Sequence, residues 1–369
     1  MAGAKGTRRG DPGVGGRWTR AAAAALALGG ALLLGACALP PDGISAFGVH
    51  LAGPRGFAVD GNRIVGPNGR PFTVHGVDRP SLEWTPQGDQ LSAQDFQRMR
   101  AWGANTVRLP LNQDFWLATS CAYSPGYRAV VQQAVGWAEA AGLIVILDLH
   151  WSDEGQDQGT SSCAVAPGQQ EMADTNSLGF WRQVASLYRD DPRVWFELYN
   201  EPHDVSWAVW RNGGGVTDAQ HQLQWQAVGM QQLYSAVRAT GARNIVIAGG
   251  LNWAYDLRGL PQYALAGYNL AYAVHPYDYA GKQPADWPAD FGQAAQTYPV
   301  LATEFGEFDC GTTYEQSFIS YAAAHGIGWT AWAWYPGGCS FPALIANWNG
   351  TPSAMGVPVQ AALQADAAR

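Results

Sequence analysis

Two glutamates hold the strongest chemical signal in this chain. Glu201 follows an apolar run at 194–199 within Asn200-Glu201-Pro202-His203, and Glu304 closes another at 300–303 within Thr303-Glu304-Phe305-Gly306. A lone carboxylate in such a place is ordinarily a surface or salt-bridged group. Two of them, each inside a polar cluster, can share a reaction: a protonated carboxyl assists a leaving oxygen while an ionised one attacks the carbon. Cleavage of a glycosidic bond with retention needs such a pair about 5–5.5 Å apart. Other polar residues also close apolar runs: Arg108, Asp148, His150, His275, Tyr277, Trp332 and Trp334.

These residues need elements that bring them together. Short, nearly continuous apolar runs at 72–77, 106–111, 143–149, 194–199, 245–248, 270–274, 300–303 and 329–334 read as buried strands. Segments at 93–102, 130–141, 180–188, 219–239 and 314–324 carry apolar positions at helical spacing. Strands alternating with helices predict an α/β protein, a (β/α)8 TIM barrel whose active site lies at the C-terminal ends of the strands. An open doubly wound sheet would want a Gly-rich turn after the first strand, which Gly76-Val77-Asp78-Arg79-Pro80 does not supply. Asp60-Gly61 and Asn68-Gly69 between short apolar segments predict a small β-hairpin ahead of the barrel.

Plainer roles are assigned beside the reactive ones. Glu197 lies deep in its strand and is read as structural, and His203 as a helix-start residue rather than a ligand. Asp78, Glu83 and Glu307 are read as ordinary loop carboxylates. No two of His150, His203 and His275 share a helix at metal-ligand spacing, so no metal and no cofactor are expected. The chain holds 17 Trp, many of them in strand-end segments, and an indole face stacks well on a pyranose ring. Trp84, Trp253 and Trp334 are the expected sugar platforms.

The N-terminus carries Lys5, Arg8, Arg9, Arg17 and Arg20 before an apolar run at 21–39, the layout of an export signal. Leu34-Gly35-Ala36-Cys37 resembles a bacterial lipobox, with Cys37 as the acylated residue. Ala36-Cys37-Ala38 also suits an ordinary cleavage site, and an uncut run could anchor the chain in a membrane. Each alternative places the remainder outside the cytoplasm. The expected organisation is export signal 1–37, short linker 38–55 and catalytic barrel 56–369. Removing residues 1–37 takes away five Lys/Arg and one Asp and moves the formal charge from −8 to −12. Such a surface repels nucleic acid and anionic lipid, so a neutral or small partner is expected, with membrane contact only through the anchor. Cys121, Cys163, Cys310 and Cys339 remain. In an oxidising compartment they read as disulfides, Cys121–Cys163 and Cys310–Cys339, each joining loops at the ends of adjacent strands.

The segments 194–203 and 300–306, together with Gly103-Ala104-Asn105-Thr106-Val107-Arg108-Leu109-Pro110 and His275-Pro276-Tyr277, resemble motifs of glycoside hydrolase family five, the cellulases and mannanases. The resemblance implies Glu201 as general acid/base and Glu304 as nucleophile. It further implies Asn200 as partner of the sugar 2-hydroxyl, Arg108 and Tyr277 as donors to Glu304, His150 and His275 as walls of the catalytic subsite, and Trp332 as its apolar floor. The expected activity is endo-cleavage of β-1,4-glucan by a monomer. A β-mannanase, an exo-β-glucosidase or a transglycosylase of the same family, and a non-catalytic carbohydrate-binding barrel, are the alternatives. No segment reads as a separate carbohydrate-binding module, which favours soluble or amorphous glucan.

Overall fold

The computed structural model describes residues 56–155, 163, 166–218 and 223–368. The expected export signal, Cys37 and the linker 38–55 lie outside them. Eight parallel strands close into a barrel in chain order. With the preceding hairpin strands β1 (Ala58–Asp60) and β2 (Arg63–Val65), the first barrel strands are β3 (His75–Asp78), β4 (Thr106–Asn112), β5 (Ile144–Trp151) and β6 (Val194–Glu197). An antiparallel ribbon, β7 (Gly214–Asp218) and β8 (Leu223–Ala227), interrupts the series before β9 (Val246–Gly249), β10 (Leu270–Val274), β11 (Val300–Ala302) and β12 (Gly328–Ala331). Helices such as Ala93–Ala101, Tyr127–Ala140, Thr175–Tyr188, Met230–Arg238 and Thr313–His325 cover the outside. In the second of these, Tyr127, Val131, Ala134, Val135 and Ala138 are buried, the one-sided stripe of a helix laid on a sheet.

Both faces of the strands are buried, which explains their continuous apolar runs. The side-chain period of two then decides which residues enter the barrel. Ile146, Trp195, Ala273 and Leu301 belong to one apolar cluster inside the lower barrel, together with Phe57 and Ile64 of the hairpin. Two residues further on, the same face carries Asp148, Glu197, His275 and Thr303. Cross-strand register places Asp78 beside Arg108, and Asp148 beside Glu197, on that polar level. The barrel is therefore apolar below and charged at its C-terminal mouth. Phe57 meets Trp195 edge to face with ring centroids 5.3 Å apart, so the hairpin plugs the opposite end.

The reading of 219–239 as one helix needs correction. Leu223–Ala227 is a strand paired with Gly214–Asp218, and the helix occupies only Met230–Arg238. Gln224 and Gln226 are exposed while Trp225 and Ala227 are buried, a period of two that the helix-forming composition masked. His203 does not start a helix either. The helix Trp207–Asn212 is capped by Ser206, whose side chain accepts from the Val209 N–H.

Both expected disulfides are present. Cys121–Cys163 ties the segment after β4 to the one after β5, and Cys310–Cys339 does the same after β11 and β12. Among the described residues no helix is long and apolar enough to cross a membrane.

Candidate active site

Arg108 organises the floor of the mouth. Its guanidinium, fully buried, donates from Nε to Glu197 Oε2 at 2.6 Å, from Nη1 to Glu304 Oε1 at 2.6 Å and from Nη2 to Asn200 Oδ1 at 2.6 Å. Asp148 Oδ2 lies 3.0 Å from Nη2 and Asp78 Oδ1 lies 3.4 Å from Nη1. Only a planar fork with several fixed donors can serve so many acceptors at once. Four carboxylates around one cation are too many to be ionised together in a desolvated space. Burial pushes Asp148 up to about 7 and holds Asp78 well above the ordinary range, against the pull of Arg108.

Each oxygen of Glu304 is occupied, Oε1 by Arg108 and Oε2 by the Tyr277 hydroxyl at 2.7 Å. Two donors and no acidic neighbour in hydrogen-bond contact fix its plane. Glu201 is held differently: Oε1 meets His275 Nδ1 at 2.8 Å, and Oε2 accepts from the Gln169 amide. Burial raises the Glu201 carboxyl above its ordinary pKa. Ligating atoms of Glu201, His275 and Glu304 all lie within 4.8 Å of one another. So close an approach suits direct attack by one carboxylate on a carbon whose leaving group the other protonates.

Both histidines beside the glutamates are neutral near pH 7, since burial lowers each to about 4. His150 Nδ1 sits 2.6 Å from Asp148 Oδ2, and its ring lies parallel to the Trp332 indole at 5.6 Å between centroids. Asn200 reaches this site because Gly249 permits it: a Cβ there would stand 2.9 Å from the Asn200 carbonyl oxygen. The Asn200 Oδ1 is pinned by Arg108, and its amide nitrogen lies 3.5 Å from His150 Nε2.

Above these groups opens a cavity of about 580 Å³, lined by Glu201, Glu304, Tyr277, His150 and Trp332 below and by Trp253, Tyr279, Phe308 and Phe341 around the rim. Aromatic walls with convergent polar groups at the base make a site for a flat-faced, hydroxyl-rich ligand.

Residues 65–338 match the sequence model of the cellulase family, glycosyl hydrolase family 5. The chain belongs to that family. Endoglucanase N of Pectobacterium atrosepticum is 22% identical over 272 residues, 72% of this chain and 54% of the relative, and Endoglucanase 5 of Pectobacterium carotovorum matches at 22% over 47% of its length. The chain thus spans about half the length of these curated relatives. Among solved structures, a β-glucanase of Saccharophagus degradans in complex with cellotetraose superposes with a TM-score of 0.67 at 25% identity, over 84% of this chain and 93% of that one.

Within this family-5 barrel, the eight residues that the resemblance singled out, Arg108, His150, Asn200, Glu201, His275, Tyr277, Glu304 and Trp332, gather at one mouth. The tryptophan expectations divide. Trp253 is 41% exposed and forms part of the cavity wall, with its ring stacked on His203 at 3.6 Å. Asn252, Trp253 and Ala254 all adopt left-handed backbone, at φ 56°, 61° and 52°, a conformation costing about 1–3 kcal/mol per residue and common at binding sites. Trp334 is a correction: it is fully buried and packs edge-on against Trp102 at 4.8 Å, so it offers no face to a sugar. Trp84 is half-buried, donates to Asp89 and packs on Tyr335 and Phe341, outside the cavity lining. Trp116 and Trp210 are buried packing residues. Reading the sequence missed Gln169, Tyr279, Lys282, Phe308 and Phe341, which reach the cavity from loops with no periodic signal. Glu83 and Glu307 are buried and accept backbone N–H groups, and Asp78 belongs to the Arg108 cluster.

Proposed function

We propose that this chain hydrolyses β-1,4-linked glucan internally, with retention of configuration, through a covalent glycosyl-enzyme intermediate. The observation that carries the reading is the pair Glu201 and Glu304, close together but differently held. Glu304, gripped by Arg108 and Tyr277, attacks the anomeric carbon. Glu201, raised by burial, gives its proton to the departing glycosidic oxygen. Water then enters on the Glu201 side, loses a proton to that carboxylate and displaces Glu304 from the sugar. The Asn200 amide donates to the 2-hydroxyl, a contact that strengthens as charge grows on the ring, and Trp332 supports the sugar's apolar face. A binding-only barrel would need neither the close carboxyl pair nor its donors.

The glucan preference rests on the endoglucanase relatives and on the cellotetraose-bound neighbour. The rim of Trp253, Tyr279 and Phe308 is consistent with a chain passing through. The working compartment is extracytoplasmic, with Cys37 as lipid anchor, a proposal supported by the lipobox-like segment and the two disulfides.

The test is reducing-end release by the protein on carboxymethylcellulose, mixed-linkage β-glucan, galactomannan, xyloglucan and xylan. Release from the first two with a spread of oligosaccharide lengths is the expected result. Release from galactomannan alone makes the chain a mannanase, and release of single glucose units alone makes it exo-acting.

A further inference from the structure

A hydrogen-bonded chain leads from Arg108 to Glu201 through residues to which the reaction scheme gives no task. Arg108 Nε donates to Glu197 Oε2 at 2.6 Å, and the Thr303 hydroxyl donates to Glu197 Oε1 at 2.6 Å. Thr303 Oγ1 is 3.0 Å from His275 Nε2, and His275 Nδ1 is 2.8 Å from Glu201 Oε1. Glu197 and His275 are completely buried, and Thr303 is nearly so.

The protons in this chain can be counted. A threonine hydroxyl has one hydrogen, and here it points to Glu197. The contact with His275 must then be filled by the imidazole, so Nε2 carries the ring hydrogen. A neutral imidazole with hydrogen on Nε2 has a bare lone pair at Nδ1. The group facing that lone pair is Glu201 Oε1, which makes a hydrogen bond only if it bears a proton. Ionising Glu201 would set a carboxylate oxygen against the lone pair, with no donor to replace the lost bond.

We propose that Glu197, acting through Thr303, selects the His275 tautomer with hydrogen on Nε2 and thereby holds the proton on Glu201. Glu197 and Thr303 are positioning residues here. The second half of the proposal rests on reading Glu201 as the general acid. The first half does not.

The other charged groups facing this chain pull in both directions. Around His275 stand Glu304 Oε2 at 3.7 Å and Glu197 Oε1 at 3.9 Å, with Arg108 and His150 further off. Lys282 and Arg108 are the cations that favour the ionised form of Glu201, and Gln169 donates to its other oxygen. Asp148, Glu304, Tyr277 and Tyr279 complete the titratable groups around it. Against these cations, the Glu304 carboxylate within 4.8 Å, Asp148 and the His275 lone pair disfavour the Glu201 carboxylate beyond burial itself, and of these only the lone pair depends on the tautomer.

Glu197→Gln reverses the direction of the chain without changing its shape. The amide oxygen is needed by Arg108 Nε, so the amide nitrogen turns to Thr303. Thr303 then donates to His275 Nε2, hydrogen moves to Nδ1, and Nδ1 donates to an ionised Glu201.

The experiment has two readouts. Nitrogen-15 NMR of histidine-labelled protein, with the His275 signal assigned through His275→Asn, reports which ring nitrogen carries hydrogen. The alkaline limb of the kcat/KM profile reports the proton on Glu201. Expected are hydrogen on Nε2 in the wild type and on Nδ1 in Glu197→Gln, with the limb moved down by roughly one pH unit. Thr303→Val gives the same change, Thr303→Ser keeps the wild-type tautomer and limb, and this pair carries the test if Glu197→Gln does not fold. Hydrogen on Nδ1 in the wild type, or an unchanged tautomer in the variants, overturns the proposal. A switched tautomer with an unmoved limb overturns the second half, and persistence of the limb in Glu201→Ala would overturn instead the reading of Glu201 as the acid. A merely structural role for Glu197 would lower activity at every pH and leave the tautomer alone.

Discussion

Arg108 and Glu304 are 196 residues apart in the chain, yet their Nη1 and Oε1 atoms meet at 2.6 Å in a space closed to solvent on the arginine side. One guanidinium thus aims the proposed nucleophile and holds both Glu197 and Asn200. Arg108→Lys keeps the charge but cannot reach all three acceptors. Its kcat should fall at least a hundredfold while the barrel stays folded. Arg108→Ala leaves several buried carboxylates without their cation and should cost about 3–5 kcal/mol of stability besides. Thermal denaturation alongside kinetics separates the two effects.

The proposed division of labour predicts different defects at the two glutamates. Glu304→Gln should show no turnover on any substrate. Glu201→Ala should lose about 10²–10⁴-fold on polysaccharide but far less on aryl glycosides whose leaving groups need no proton. Azide should restore part of its activity and yield the β-glycosyl azide. Equal losses on both substrate types would remove Glu201 from the acid role.

Burial raises Glu201, and in its proposed role as general acid the protonated form is the competent one. On that role activity should fall as pH rises through its pKa, so the alkaline limb of kcat/KM should belong to Glu201 and lie above the usual carboxylate range. Glu201→Ala, assayed on an activated aryl glycoside, should lose that limb. Persistence of the limb would assign it to another group.

Trp253 and Trp334 should separate binding from stability. Trp253→Ala removes an exposed wall of the cavity and should raise KM for long oligosaccharides about fivefold, a stacking loss of ~1 kcal/mol, with little change in melting temperature. Trp334→Ala opens a hole against Trp102 and should cost about 3–5 kcal/mol of stability while KM changes little. The reverse pattern would restore Trp334 as a platform.

Each disulfide ties neighbouring strand-end segments, with sequence separations of 42 and 29 residues. On loop-closure entropy alone each contributes about 3–4 kcal/mol. Reduction should lower the melting temperature by several degrees or more, measured by calorimetry with and without reductant. An unchanged melting curve would show that the bridges do not constrain the unfolded chain.

Much of this arrangement is legible in the sequence because it rests on local rules. Apolar runs of strand length alternating with helical stripes name the barrel, and the polar residue closing each run names the mouth. Glu201, Glu304, Arg108, His150, Asn200, His275, Tyr277 and Trp332 all lie in those closing segments, where the resemblance to the family singles them out, since a barrel strand delivers its last residues to one place whatever their separation in the chain. Cysteine positions at the ends of adjacent strands likewise predict both bridges. Where composition and periodicity disagree, as in Leu223–Ala227, composition misleads: a Gln- and Ala-rich stretch looks helical until its alternating burial is seen.

Tertiary structure decides the rest, because it depends on which atom meets which. Trp334 and Trp253 both follow strand ends, but one turns into the core and the other out over the cavity, by backbone angles that the residue type does not encode. Glu197 reads as a buried structural acid from its place in the strand. Only the meeting of β4, β6, β10 and the end of β11 at one level puts its two oxygens between Arg108 and Thr303, and so within one residue's reach of His275. Sequence determines the chemistry available at the mouth; the direction in which each proton points is fixed by contacts between strands that the chain brings together only on closing the barrel.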